Sequence, residues 1–112
     1  MPVAESAVVL ALTTEADEGK AEALARALLD RRLVACVSLR PVRSLYRWQG
    51  QVEEGLEVEL LLKTTPERVA ALEAAVQELH SYDTPEWLCW PADASGPYAA
   101  WAWEATSSLS EP

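Results

Sequence analysis

Residues 28–50 read LLDRRLVACVSLRPVRSLYRWQG, and this stretch decides the fold. It joins the end of an amphipathic helix to a long strand over residues 33–48, with no domain break between them. The Gln-Gly pair at 49–50 predicts a tight turn, and residues 51–64 predict the returning strand. Pro41 cannot donate a ladder hydrogen bond, so we expect a bend or bulge there. The two strands predict a protruding hairpin, far longer than the usual strand of about 5–6 residues.

The segments before this stretch predict a strand and then a helix. Residues 7–13 (AVVLALT) are almost all apolar, which is typical of a central strand covered on both faces. Thr14 is placed to cap the helix that follows, with Asp17 as a weak capping-box partner. One stripe of that helix is apolar and should be buried, and it is formed by Ala21, Leu24, Ala25, Leu28 and Leu29.

The segments after the turn predict a buried strand face, a second helix, a short strand and a last helix. In the returning strand the apolar residues alternate with charged ones and should share one buried face: Leu56, Val58, Leu60 and Leu62. The Thr-Pro-Glu run at 65–67 is typical of a helix start, and this helix ends at His80. Residues 87–90 predict the last strand, and residues 98–106 predict a terminal helix.

The order β-α-β-β-α-β plus a terminal helix is that of the ferredoxin-like α+β fold. It predicts an antiparallel sheet with both connecting helices on one face, in one domain spanning residues 1–112 with an ordered core from about 7 to 106. The second and fourth strands are then opposite edges, and Cys36 and Cys89 lie about 14 Å apart. A disulfide needs Cα atoms within about 7 Å, so we expect no intrachain bridge and two buried, inert thiols.

The charge balance limits the partners. The chain has 18 acidic and 9 basic residues and a net charge of −9, so it should repel nucleic acid and anionic membrane surfaces. The first residues, MPVAESAVVLALTT, have no basic region and no small-residue cleavage site, so they do not resemble a signal peptide. No apolar run approaches the ~20 residues of a membrane span. We therefore expect a cytoplasmic protein.

Four sequence blocks in this order resemble the CutA family of divalent-cation tolerance proteins. They are residues 28–50, the Lys-Thr pair at 63–64, the HSYDTPE block at 80–86 and the GPYAAW block at 96–101. The resemblance runs from about Val8 to Thr106. It implies the same ferredoxin-like fold and a compact homotrimer in which edge strands of neighbouring subunits join. It also implies a role in the response to divalent metal ions.

Aromatic side chains suggest where copies of the chain meet. Trp101 and Trp103 are two residues apart in a helix, so both cannot face the same core. Tryptophan is enriched at interface hot spots, although ordinary core positions and a sugar-stacking platform are alternatives. The residues expected in an interface or an intersubunit cleft are Tyr46, Trp48, Lys63, Tyr82, Trp101 and Trp103.

The HSYDTPE block also holds candidate metal ligands. His80, Asp83 and Glu86 are spaced three apart, and imidazole with carboxylates can bind a first-row divalent metal. A lone histidine is also common at a helix end, where the dipole favours it. The family resemblance links this histidine with copper, but Ser81 stands where the family usually has proline. Leu12 occupies the position of a cysteine ligand in some members. Any bound Cu²⁺ or other divalent metal should therefore be held weakly by nitrogen and oxygen.

Enzyme chemistry is not indicated. The loop after the first strand is acidic and would repel a phosphate, and no phosphate-binding loop, nucleophile elbow or paired His/Cys arrangement is present. The favoured interpretation is a homotrimer of the divalent-ion response that binds copper weakly. The alternative is a trimeric sensor or scaffold, similar in architecture to PII signalling trimers, that binds a small molecule or a protein partner between subunits.

Overall fold

The computed structural model describes residues 7–107, and these form four strands and three helices. In chain order the elements are β1 (Ala7–Glu15), α1 (Glu18–Asp30), β2 (Cys36–Trp48), β3 (Gln51–Thr64), a 3₁₀ turn (Pro66–Arg68), α2 (Val69–Leu79), β4 (Leu88–Asp93) and α3 (Gly96–Ala105). The strands form one sheet in the order β2-β3-β1-β4, with every neighbouring pair antiparallel. The predicted ferredoxin-like α+β fold is confirmed.

The β2–β3 hairpin turns at Gln49 and Gly50. Their φ angles are 51° and 79°, so both lie in the left-handed region that tight two-residue hairpin turns require. Pairing then runs from Trp48 and Gln51 to Cys36 and Lys63 with one constant register. The predicted bulge at Pro41 is wrong, because β2 is an edge strand and can leave a missing N–H on its unpaired side.

The hairpin extends well beyond the rest of the chain. The structure measures 50 × 28 × 21 Å, and its radius of gyration is 15.0 Å. A compact chain of this length would have a radius of gyration of roughly 13 Å. The distal half of the hairpin therefore has no layer of its own chain packed on either face.

The main core lies between one face of the sheet and helices α1 and α2. Ala11, Leu60 and Leu62 project from the sheet and pack against Leu28 and Leu72 of the helices. This face is called the helix face below, and the other is the open face. Buried methylene groups contribute about 0.8 kcal/mol each, so this layer supplies most of the hydrophobic stabilisation.

Two apolar residues predicted to be buried are exposed in the single chain. Leu29 is 42% exposed, because it lies at the margin of the α1 stripe. Leu56 is 79% exposed, although it shares its strand face with the fully buried Leu60. The alternation of apolar residues continues along β3 after the helix layer has ended at Val58, so Leu56 has nothing from its own chain to contact.

Helix α3 packs on the open face, away from the other two helices. Val8 alternates with the helix-face residues of β1, and it forms a small buried cluster with Ala35, Ala99 and Ala102. Small side chains let the helix approach the sheet closely. The helix covers only the end of the open face nearest the start of β1.

The helix starts differ in detail from the prediction. Strand β1 continues through Thr14 to Glu15, so Thr14 does not cap α1 as predicted. Asp17 takes that role and accepts a hydrogen bond from the backbone N–H of Lys20 at 2.8 Å. The predicted start of α2 at Thr65 is confirmed as a 3₁₀ turn that leads into the α-helix, but Thr65 makes no side-chain cap.

Both cysteines are free thiols, as predicted. Cys36 lies on edge strand β2 and Cys89 on the opposite edge strand β4. The expectation that both are buried is wrong: Cys36 is partly exposed and Cys89 is exposed, because an edge strand has a neighbouring strand on one side only. Thiol titration of the denatured, unreduced protein should find two reactive thiols per chain. A mass two protons lower than the reduced chain, with no reactive thiol, would contradict this.

Candidate functional site

The HSYDTPE segment folds into a loop that closes over the end of β1. His80 ends α2 and turns its ring inward, where it is buried. Its Nε2 lies 2.7 Å from the carbonyl oxygen of Thr14, and its Nδ1 accepts the backbone N–H of Tyr82 at 3.0 Å. With these partners, the neutral form of the ring carries its proton on Nε2. Both ring nitrogens are therefore used within the protein.

Glu15, the last residue of β1, is a buried carboxylate that contacts this loop. Its carboxylate accepts hydrogen bonds from the hydroxyl and the N–H of Ser81, and from the N–H of Ala16. Burial acts to raise the pKa of Glu15, but the Ser81 and Ala16 donors and the nearby His80 ring outweigh it and hold the pKa below its ordinary value of 4.5. The carboxylate thus ties the 80–86 loop to the end of β1.

Tyr82 connects the same loop to the hairpin. Its hydroxyl donates to Glu57 of β3 at 2.8 Å, and its ring lies 4.9 Å from the ring of His80. Burial, followed by the hydrogen bond to Glu57 and the charge of that carboxylate, raises the pKa of the Tyr82 phenol well above its ordinary value. The loop therefore fixes the base of the hairpin in place.

The three candidate metal ligands are not brought together. Asp83 and Glu86 are exposed, and Glu86 lies 3.4 Å from the Thr14 hydroxyl, whereas the His80 ring points inward. Residues 7–107 contain no cluster of three or more His, Cys, Asp or Glu side chains suited to a metal ion. With both nitrogens of His80 hydrogen-bonded, these residues do not fit a resident metal. Leu12, which the resemblance places where some family members have a cysteine, lies between the apolar residues Leu61 and Leu88.

The expected cleft residues fall into separate groups on the single chain. Tyr46 and Trp48 are exposed on the hairpin, on the face that also carries the Tyr82–Glu57 contact. Lys63 lies on the open face near the end of β3, far from the hairpin turn, and is partly buried. The structure of one chain does not join these groups into one cleft.

The two tryptophans of α3 point in different directions, as their spacing predicts. Trp101 is exposed and packs against Tyr98 with ring centroids 5.4 Å apart. Trp103 is partly buried, and its Nε1 is buried without a hydrogen-bond partner in the described chain. Whether they meet another subunit stays a prediction.

Sequence reasoning missed two groups. Glu15 looked like one more acid in a solvated loop, and nothing near it in sequence signals the Ser81 donors 66 positions away. The second group is a contact between Lys63 and two residues of the neighbouring strand. Its Nζ donates to Ser38 Oγ at 2.8 Å and lies 3.7 Å from Cys36 Sγ. Only the hairpin register places these side chains together.

Comparison with known proteins agrees with this geometry. Residues 9–105 match the family described as CutA1 divalent ion tolerance protein. The chain belongs to this family. A CutA relative from Pectobacterium atrosepticum, described as a divalent-cation tolerance protein, is 39% identical over 102 residues, which are 89% of this chain and 91% of the relative. Human CutA is 37% identical over 106 residues, 93% of this chain.

Solved CutA structures superpose closely. The Synechococcus elongatus protein has a TM-score of 0.87 at 38% identity, with 91% of this chain and 92% of that one covered. The Pyrococcus horikoshii protein has a TM-score of 0.87 at 35% identity, with 89% and 99% covered. This chain spans only 59% of the length of the human and mouse relatives.

The cellular compartment of this chain is not set by its membership of the CutA family. The CutA structure from Archaeoglobus fulgidus is described as periplasmic, so the cytoplasmic placement of this chain stays a prediction. Among residues 7–107, no helix combines the length and the apolar character needed to cross a membrane.

Proposed function

We propose that this CutA-family chain acts in the response to divalent metal ions as a non-catalytic homotrimer. The role rests on the family match over residues 9–105, and the observation that carries the assembly is the apolar surface that one chain leaves uncovered. Monomeric proteins rarely expose large contiguous apolar patches, and such patches mark interaction surfaces. The large exposed apolar residues of the sheet and of α3 are Leu39, Leu45, Tyr46, Trp48, Val52, Leu56, Leu88, Trp90, Tyr98 and Trp101.

The distribution of these residues favours self-association. Leu45, Val52 and Leu56 extend the core face of the hairpin past the last helix contact, and Leu88 and Trp90 lie on the open face of edge strand β4. Both edges of the sheet, β2 and β4, carry unpaired backbone groups. A second copy of the chain can pair with an edge strand and cover apolar side chains at the same time. A closed symmetric assembly therefore covers both kinds of surface in every copy.

Native mass spectrometry tests this assembly. The expected species has three times the 12.3 kDa chain mass and persists at micromolar concentration. A spectrum dominated by the single chain at that concentration would remove the proposal, because the exposed hairpin would then be a free surface.

Weak binding of divalent copper is part of the proposal, and the structure gives a reason for the weakness. His80 could ligate through Nδ1 only by giving up the hydrogen bond from Tyr82 N–H. Leaving a buried donor unpaired costs about 1–3 kcal/mol, a loss of roughly fivefold to 150-fold in affinity. The other candidates, Asp83 and Glu86, are exposed and need no such change.

Titration calorimetry with Cu²⁺ measures this weakness. We expect no stoichiometric binding at low micromolar metal, and a residual heat that falls in His80→Ala. Asp83→Asn serves as an exposed control that leaves the His80 contacts intact, and circular dichroism checks that His80→Ala is folded. Tight saturable binding by the wild type, or identical isotherms for wild type and His80→Ala, would contradict this role of the histidine.

The second candidate function is binding of a small molecule or a protein partner between subunits. The observation that favours it is a cavity of about 410 Å³ on the open face, lined in part by Lys63, Leu10 and Tyr98. The open face is where the proposed assembly places a neighbouring subunit. A ligand that raises the melting temperature of metal-free protein would support this function over the first.

A further inference from the structure

We infer that the 80–86 loop fixes the direction of the β2–β3 hairpin in each chain before the copies assemble, and that Tyr82 is the positioning residue. The inference rests on the proposed homotrimer and concerns how each chain is prepared for it. It gives the HSYDTPE block a role that uses contacts inside the chain, whereas Asp83 and Glu86 stay at the surface.

The hairpin separates from the rest of the sheet at Val58. Val58 pairs with Glu15, the last residue of β1, and Glu57 is the next residue of β3 toward the turn. Beyond that point only β2 and β3 continue as a pair. A two-stranded ribbon twists more than a wider sheet and is marginally stable by itself, so the ladder alone does not fix its direction.

Tyr82 contacts the hairpin at this point of separation. Its hydroxyl donates to the Glu57 carboxylate at 2.8 Å. Within residues 7–107, this is the only side-chain hydrogen bond between hairpin residues 42–57 and the chain outside the hairpin. Both partners are partly buried, and a hydrogen bond to an ionised acceptor is about twice as strong as a neutral one. The contact is therefore suited to hold the hairpin in one direction.

The loop that carries Tyr82 is itself held in place. The His80 side chain has no exposed surface, its Nε2 lies 2.7 Å from Thr14 O, and its Nδ1 accepts the N–H of Tyr82. Ser81 donates twice to the buried Glu15 carboxylate. The Tyr82 ring also lies 4.9 Å from the His80 ring. Backbone, ring and hydroxyl of Tyr82 are thus all fixed relative to the end of β1.

A small change of direction at Glu57 becomes a large displacement at the hairpin turn. Gly50 lies about 23 Å farther along the hairpin, at about 3.3 Å per residue. A change of about 10° would move the turn by about 4 Å, close to the spacing of about 4.8 Å between neighbouring strands. A hairpin displaced that far would miss its contacts on a neighbouring subunit. A hairpin that is oriented beforehand avoids the cost of being ordered during assembly.

Refolding of Tyr82→Phe by dilution from denaturant tests the inference on the full chain at micromolar concentration. Far-ultraviolet circular dichroism follows folding, and light scattering follows formation of the trimer. Phenylalanine keeps the ring next to His80 and removes only the hydroxyl. Folding should proceed at the wild-type rate, and the half-time of assembly should lengthen at least about tenfold, because three hairpins must then be ordered during assembly. A hydroxyl that only stabilised the chain would not delay the assembly of chains that have already folded.

Substitutions of Glu57 separate the hydrogen bond from other effects of the tyrosine. Glu57→Gln keeps an oxygen that accepts the Tyr82 hydroxyl and should assemble within about threefold of the wild-type rate. Glu57→Leu leaves the loop unchanged but removes the acceptor, so it should be as slow as Tyr82→Phe. The double variant should be no slower than either single variant, because both remove the same contact. Tyr98→Phe, at an exposed tyrosine of α3, is the matched control and should keep the wild-type rate.

The possible results distinguish the inference from the proposed assembly. A wild type that forms trimers while Tyr82→Phe and Glu57→Leu assemble at the same rate would leave the homotrimer intact and overturn the inference. Equal delays of folding and assembly would also overturn it, because Tyr82 would then act on chain folding alone. A wild type that folds and never assembles would remove the homotrimer and with it the inference. If Tyr82→Phe does not regain its circular dichroism signal, Glu57→Leu decides.

Discussion

Aspartate at both Leu45 and Leu56 should convert the assembled protein into single folded chains. These leucines are 61% and 79% exposed in one chain and lie on the same face of the hairpin, beyond the helix layer. A chain that stays alone loses no contact by the change. In the assembly, each leucine that becomes buried contributes about 2 kcal/mol, and each aspartate must be desolvated. Repeated in three copies, the loss is on the order of 10 kcal/mol.

Sedimentation velocity at micromolar concentration measures this effect, and far-ultraviolet circular dichroism reports whether the single chain keeps its fold. Leu29→Asp is the matched control. It makes the same chemical change at a leucine that is 42% exposed on α1, away from the hairpin. The control should keep the mass of the wild type. A double variant that still sediments as the wild type does would show that the distal hairpin is not an interface.

Glu15→Ala should destabilise the fold by about 2–5 kcal/mol, the largest effect expected from a single polar substitution in the loop region. The reason is the donors that the carboxylate leaves behind: the Ser81 N–H and hydroxyl and the Ala16 N–H. These three hydrogen bonds are part-buried and their acceptor is charged, and a hydrogen bond to a charged group contributes about 1.5–3 kcal/mol. Chemical denaturation at fixed protein concentration measures the loss. Glu22→Ala, at an exposed acid on α1 that makes an i,i+4 pair with Arg26, is the control, with a loss within about 0.5 kcal/mol.

The same carboxylate should make stability depend on pH. The pKa of Glu15 in the folded chain is below its ordinary value of 4.5, so protons bind more readily to the unfolded chain. Its contribution is fully present above that value and is lost as the pH falls through the lowered pKa. The difference in unfolding free energy between wild type and Glu15→Gln should therefore shrink on acidification from about pH 7 to about pH 3. A difference that is constant over this range would contradict the role given to the charge.

Much of the fold follows from local pattern in the sequence. Strand β3 begins and ends where predicted, because the Gln-Gly turn sets its start and the alternation of apolar and charged residues continues to Thr64. The positions of Cys36 and Cys89 on opposite edges follow from element order alone. Turn chemistry and periodicity act over a few residues, so they can be recognised without knowledge of distant contacts.

The exceptions depend on contacts that periodicity does not describe. Leu56 fits the buried pattern of its strand, but burial also needs a covering layer, and the helix layer ends before it. The sequence indicates His80 as a candidate ligand, yet its ring is held by Thr14 and Tyr82, and Asp83 and Glu86 stay at the surface. Those contacts depend on how the 80–86 loop lies over the end of β1. The spacing of side chains along the sequence does not predict that position of the loop.

The central claim is that three copies of this chain bury the hairpin and the open sheet face between them. Small-angle X-ray scattering of the unmodified protein at micromolar concentration tests it most directly, because one experiment gives both mass and size. A compact assembly of three chains should have a radius of gyration of about 20 Å and a threefold mass. A radius of 15.0 Å, the value of one chain, with the mass of one chain, would contradict the account.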